Sequence, residues 1–192
     1  MRILIVATPR SGSTELAVRL GRYLNLKTLM EPFSYGKWDV PSELVRERPI
    51  WDPPDNIVLK SLIHDVPKNY LHTVDGEHKK LPKEFHKITA IDFYEKYYKL
   101  FDKVILLKRR DISQQIQSWM DFTFHYSRGK VNEGIDYRKR PGYQKVAGDI
   151  IKLDHWIYEL HTRINIPFTY YEDIFMHDSL KKQHFPPPIK KN

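Results

Sequence analysis

Residues 1–14, MRILIVATPRSGST, decide the fold. Ile3, Leu4, Ile5, Val6 and Ala7 form an unbroken apolar run, which suits a strand buried on both faces. Thr8-Pro9-Arg10-Ser11-Gly12 ends that strand. Ser13-Thr14 then offers a cap for a helix carrying Leu16, Leu20 and Leu24 on one side. A strand, a small-residue turn and a helix N-terminus together make an anion cradle. The turn's N–H groups and the helix dipole favour negative charge there, and phosphate is the usual guest. Measured against the nucleoside-triphosphate loop G-x-x-x-x-G-K-[ST], Ala7 replaces the first glycine and Ser13 replaces the lysine. The cation has moved upstream to Arg10. A kinase or GTPase built on this turn lacks the lysine that reaches the β- and γ-phosphates.

The length of 192 residues predicts a single domain (1–192) with its own core, trailed by a basic tail from about residue 177. Aromatics at 13% argue against disorder even with 29% charged residues. There is no cysteine, hence no disulfide, thiolate metal site or thiol nucleophile. The apolar run 3–7 is too short for a signal peptide, and no stretch approaches the roughly 20 apolar residues of a membrane helix. A soluble, cytoplasmic protein with no membrane partner is the expectation. The net charge of +8 suits polyanionic or multiply phosphorylated partners. Much of that charge is spread over a solvated surface, in runs such as Lys108 to Arg110 and Arg138 to Arg140.

Along the chain, residues 27–30 predict a second strand ending at Glu31-Pro32. Residues 32–55, rich in proline and aromatics, have no sustained period and read as a lid or substrate loop. Residues 56–62 (NIVLKSL) predict a buried strand with one charge, Lys60, and residues 63–87 a polar, exposed connection. A helix is expected over 88–101, a strand over 103–107, a helix over 112–126 and a loop over 128–142. The clearest helix is 143–164, where Val146, Ile150, Leu153, Ile157, Leu160 and Ile164 recur in steps of four and three. A final strand is expected over 167–171. This alternation predicts an α/β, P-loop-like three-layer sandwich: a central, mostly parallel sheet flanked by helices. Ligands of such sheets sit beyond the carboxyl ends of the strands, where Thr8–Thr14, Glu31, Lys60–His64 and Lys108–Asp111 all fall.

A second anchor follows the 103–107 strand. Arg110 stands at its end and Ser118 eight residues on, about two helical turns along. A guanidinium and a hydroxyl so placed can grip one phosphate from two sides. With the turn at 8–14, this pattern resembles the sulfotransferases that use 3′-phosphoadenosine 5′-phosphosulfate (PAPS). TPRSGST and RRDISQQIQS look most like the bacterial branch that sulfates carbohydrates, and Tyr171-Glu172-Asp173 is similar to a motif after that family's last strand. The resemblance spans residues 2 to about 175. It implies a metal-independent, in-line transfer of a sulfuryl group from PAPS to an acceptor hydroxyl, with a carbohydrate as the candidate acceptor, leaving PAP.

By the same resemblance, Arg10, Ser11, Gly12, Ser13 and Thr14 hold the phosphosulfate, while Arg110 and Ser118 hold the 3′-phosphate. Glu31 is the favoured general base, with His64 the alternative, and Lys60 and Arg10 stabilise the transferring group. Asp111 either orients Arg109 or caps the following helix; Glu172 and Asp173 read as structural. Phe33, Tyr35, Trp38, Trp51, Trp119, Phe122 and Phe124 either line the acceptor pocket or belong to the core. The chain departs from the family in having little sequence after Tyr171 to close over the adenosine. Two other readings stand beside this one. An ATP-dependent phosphotransferase of nucleoside-kinase type would want magnesium and the missing lysine. A non-catalytic basic protein binding nucleotide or nucleic acid would show salt-steep affinity, though no nucleic-acid motif is present.

Overall fold

The computed structural model describes residues 1–31, 53–64, 70–72, 78–80, 88–128 and 136–175. The apolar run becomes strand β1 (Arg2–Ala7), with Ile3 to Ala7 at most 2% exposed. Burial on that scale contributes about 1.5–3 kcal/mol for each large aliphatic side chain. β1 lies at the middle of a sheet with β2 (Lys27–Met30), β3 (Ile57–Leu62), β6 (Lys103–Lys108) and β7 (Phe168–Tyr170), in the order β2–β3–β1–β6–β7. Every pairing in it is parallel. Two short strands, β4 (Tyr70–His72) and β5 (His78–Lys80), form a separate antiparallel pair.

Alternation along β1 divides the core. Ile3, Ile5 and Ala7 pack with Leu16 and Ala17 of α1 (Ser13–Leu24) and Phe175 of α5 (Tyr171–Phe175). Leu4 and Val6 face the other way, onto Phe93 and Tyr94 of α2 (Ala90–Tyr97) and Leu153, Ile157 and Leu160 of α4 (Tyr143–Ile164). Helices therefore cover both faces of a parallel sheet, as the alternation predicted. The remaining helix, α3 (Ile112–Arg128), joins α4 through a smaller cluster of Ile116, Met120 and Ile150. Among the described residues no helix is long and apolar enough to cross a membrane.

Local chemistry trims several expected boundaries. The helix expected over 88–101 starts at Ala90 because the Thr89 hydroxyl accepts from Asp92 N at 3.1 Å, and it ends in a 3₁₀ turn at Tyr98–Leu100. The same hydroxyl, helped by Arg163, holds the Asp92 carboxyl below its usual range. Part of the polar connection expected over 63–87 is the β4–β5 pair, whose three-residue strands are too short to show a period. α3 runs two residues further than expected, and a 3₁₀ turn at Tyr137–Lys139 interrupts the expected loop. Tyr171 opens α5 rather than closing β7. Most of the lid expected over 32–55, namely residues 32–52 with Phe33, Tyr35, Trp38 and Trp51, lies outside the described residues, as do the side chain of Phe124 and the tail from 176.

Tyr94 pins the end of β3 from below. Its buried hydroxyl donates to Leu62 O at 2.9 Å and meets Ser61 Oγ at 2.7 Å. Tyr94→Phe leaves a carbonyl and a hydroxyl without a partner, at a cost of about 1–3 kcal/mol. A thermal melt should fall by roughly 2–4 °C for each kcal/mol lost in a chain of this size.

Candidate functional site

Because all five strands of the main sheet run parallel, their carboxyl ends share one edge. Ala7 pairs with Leu62 on one side and Leu107 on the other, so the turn after β1 lies between the ends of β3 and β6. The chain order reverses at β1, which makes this the switch point where α/β sheets bind ligands.

The turn itself is built under constraint. Arg10 (φ 59°) and Gly12 (φ 82°) both adopt left-handed backbone. Thr8 and Ser11 are fully buried, and Ser13 is 4% exposed. The helix cap differs from expectation. Gly12, not Ser13 or Thr14, is the N-cap of α1, and no side chain caps it; Leu16 N reaches Gly12 O at 3.0 Å. Ser13 and Thr14 already lie inside the first turn, with Thr14 exposed. Without a side-chain cap, the first-turn N–H groups keep the donor capacity of a helix start. The buried Ser11 hydroxyl has no hydrogen-bond partner among the described residues. A donor desolvated and unpaired in this way favours an acceptor brought by a ligand.

Helix α3 grips the turn from the side. Gln115, fully buried, donates its amide to Thr8 Oγ1 at 2.7 Å and to Pro9 O at 2.5 Å. One turn along, Ser118 Oγ accepts from Arg10 Nε at 3.2 Å. The Arg10 guanidinium also lies 4.8 Å from the Phe122 ring centroid.

On the other side of the turn, Met30 pairs with Lys60 across β2 and β3. Glu31, left-handed at φ 45°, donates its N–H to Lys60 O at 2.7 Å and ends β2. Its carboxylate forms an ion pair with the Lys60 ammonium. The Lys60 side chain is 3% exposed and that of Glu31 23%, so the pair is half-open to solvent from the carboxylate side alone. Among the described residues, Lys60 is the one buried cation of the sheet interior. His64 is half-buried just past the end of β3, where Ile63 N reaches Ala7 O at 2.8 Å.

The loop after β6 is held by the segment that follows β7. Glu172 accepts from the backbone N–H of Arg110 at 3.1 Å, and Asp173 accepts from the two terminal guanidinium nitrogens of Arg110 in a bidentate pair. That pairing raises the Arg110 pKa above its already high ordinary value. The Arg110 guanidinium lies over Tyr170 at 4.2 Å, and that of Arg109 over Tyr171 at 4.1 Å. Asp111 caps α3, its Oδ1 accepting from Gln114 N at 3.0 Å, the second of the two roles expected of it.

The sequence-predicted residues thus gather at the ends of four adjoining strands, β2, β3, β1 and β6. The two expected holders of one phosphate are each engaged elsewhere: Arg110 by Asp173, and Ser118 by Arg10. Phe122 meets Arg10, and Trp119 packs against the core between α3 and α4. Sequence reasoning passed over Gln115 and the Tyr171 ring, which packs against Gly12 so closely that a Cβ there would overlap it. Gln115 could have been found from its place three residues before Ser118, on the same helical face.

The molecule is a three-layer α/β protein with a turn suited to anions at the switch point of its sheet. No family model matches the chain, and no curated protein matches it at a significant level.

Proposed function

We propose that this protein is a sulfotransferase that moves a sulfuryl group from PAPS to an acceptor hydroxyl. The observation that carries the reading is the buried Ser11 hydroxyl, without a partner among the described residues, at the start of α1, one strand from the Lys60–Glu31 pair. When bound, PAPS supplies an activated sulfuryl group whose leaving group is a stable phosphate. The turn 10–14 binds the phosphosulfate through backbone N–H groups and hydroxyls. Glu31 takes the proton of the acceptor hydroxyl at its carboxylate. Lys60, held beside it, offsets the negative charge that develops on the transferring group. Arg110 and Ser118 recognise the 3′-phosphate, and Asp173 yields the guanidinium to it.

A thermal-shift series with PAP, ADP and ATP, each with and without magnesium, tests this. PAP at a hundredfold its dissociation constant should add about 2.7 kcal/mol, or roughly 5–10 °C, without metal. ADP, which lacks the 3′-phosphate, should add much less, and Arg110→Ala should erase the difference. Stabilisation by ATP only with magnesium would assign the turn to phosphoryl transfer instead. Steeply salt-dependent binding of polyanions with no preference for PAP would assign it to a binding module.

A further inference from the structure

We propose that Gln115 is the positioning residue that holds the β1–α1 turn in its anion-binding shape. It rests on reading this turn as a phosphate cradle, and not on which nucleotide or reaction the cradle serves. A non-glycine residue in left-handed backbone, as Arg10 is, persists only where its surroundings over-determine it. Gln115 supplies that constraint from outside the turn. A single amide nitrogen fastens Thr8 Oγ1 and Pro9 O, the two anchor points immediately before Arg10. With the Pro9 carbonyl turned onto Gln115, an acceptor that would repel an anion is taken up by α3.

The burial of Gln115 argues the same way. A fully buried glutamine whose Oε1 finds no partner among the described residues is a costly choice for packing alone. An aliphatic side chain of similar length would fill the space without that cost. Its donor nitrogen is therefore the part the site uses. Through Gln115 and Ser118, α3 grips the backbone and the side chain of the same turn.

Inorganic pyrophosphate, an anion without base or sugar, is the probe. Its affinity is measured by titration calorimetry on the full chain, well below the melting temperature of each variant. Gln115→Met should weaken binding about tenfold, the effect of two lost hydrogen bonds. Thr8→Val, isosteric and removing one of those bonds, should weaken it roughly threefold, and Thr8→Ser should restore it. Pyrophosphate affinity in Gln115→Met and Thr8→Val within about twofold of the parent would overturn the proposal, as would a parent that binds no pyrophosphate. If Gln115→Met does not fold, the Thr8 pair decides. Tight pyrophosphate binding that depends on Gln115, with no gain from PAP, would leave this inference standing and defeat the sulfotransferase reading.

Discussion

Glu31→Gln should lower stability by about 3 kcal/mol, the lower end of the cost of breaking a buried ion pair from one side. The reason is the asymmetry of the pair. Lys60 is 3% exposed, so once its carboxylate is neutral the ammonium stays in a low-dielectric interior with its charge uncompensated. Glu31 is 23% exposed, so Lys60→Met leaves a carboxylate that water can reach. That variant should cost only about 1 kcal/mol. The double variant, with neither charge, should recover most of the loss of Glu31→Gln. Denaturant melts of the four proteins measure the cycle. Equal losses from the two single variants would refute the asymmetry. On the proposed sulfotransferase reading, with Glu31 as the general base, the double variant should fold well yet lose about 10²–10⁴-fold in rate.

Gly12→Ala is the second large effect. At φ 82° a Cβ costs about 1–2 kcal/mol from backbone strain alone. The added methyl would also overlap the Tyr171 ring. That ring has little room to give: Phe175 lies 4.6 Å from its centroid and the Arg109 guanidinium 4.1 Å. Overpacking of this kind adds about 1–3 kcal/mol. The sum, about 2–5 kcal/mol, corresponds to a melting temperature lower by roughly 4–20 °C. In a Tyr171→Leu background the same change should cost only the backbone share, about 1–2 kcal/mol. A loss that does not shrink in that background would place the strain elsewhere than the Tyr171 ring.

These two residues differ in how legible they were. Gly12 was readable as a turn glycine between a strand and a helix, because the breaking of an apolar run is a local signal. Its contact with Tyr171 was not, since the two residues are brought together only when β7 takes the edge of the sheet beyond β6. Glu31 and Lys60 were each readable as strand-end charges at the site. Their pairing depends on Met30 lying opposite Lys60, a register that no single strand carries in its own pattern. The helix α4 was read to the residue because about five turns of regular apolar spacing, from Val146 to Ile164, are redundant. The strands β4 and β5 were missed because three residues leave no period to detect.

From the chain of letters alone came the alternation of strands and helices, the double-sided burial of β1, the turn at 8–12 and the placing of the candidate residues at strand ends. Each follows from apolar spacing or turn chemistry within a few residues. The tertiary structure alone decided that Ser118 accepts from Arg10 across 108 positions, that Asp173 pairs with Arg110 across 63, and that Gln115 bonds to Thr8 across 107. Polar partners so distant are chosen by which strand ends become neighbours. That choice belongs to the packing of the whole sheet rather than to any stretch of it.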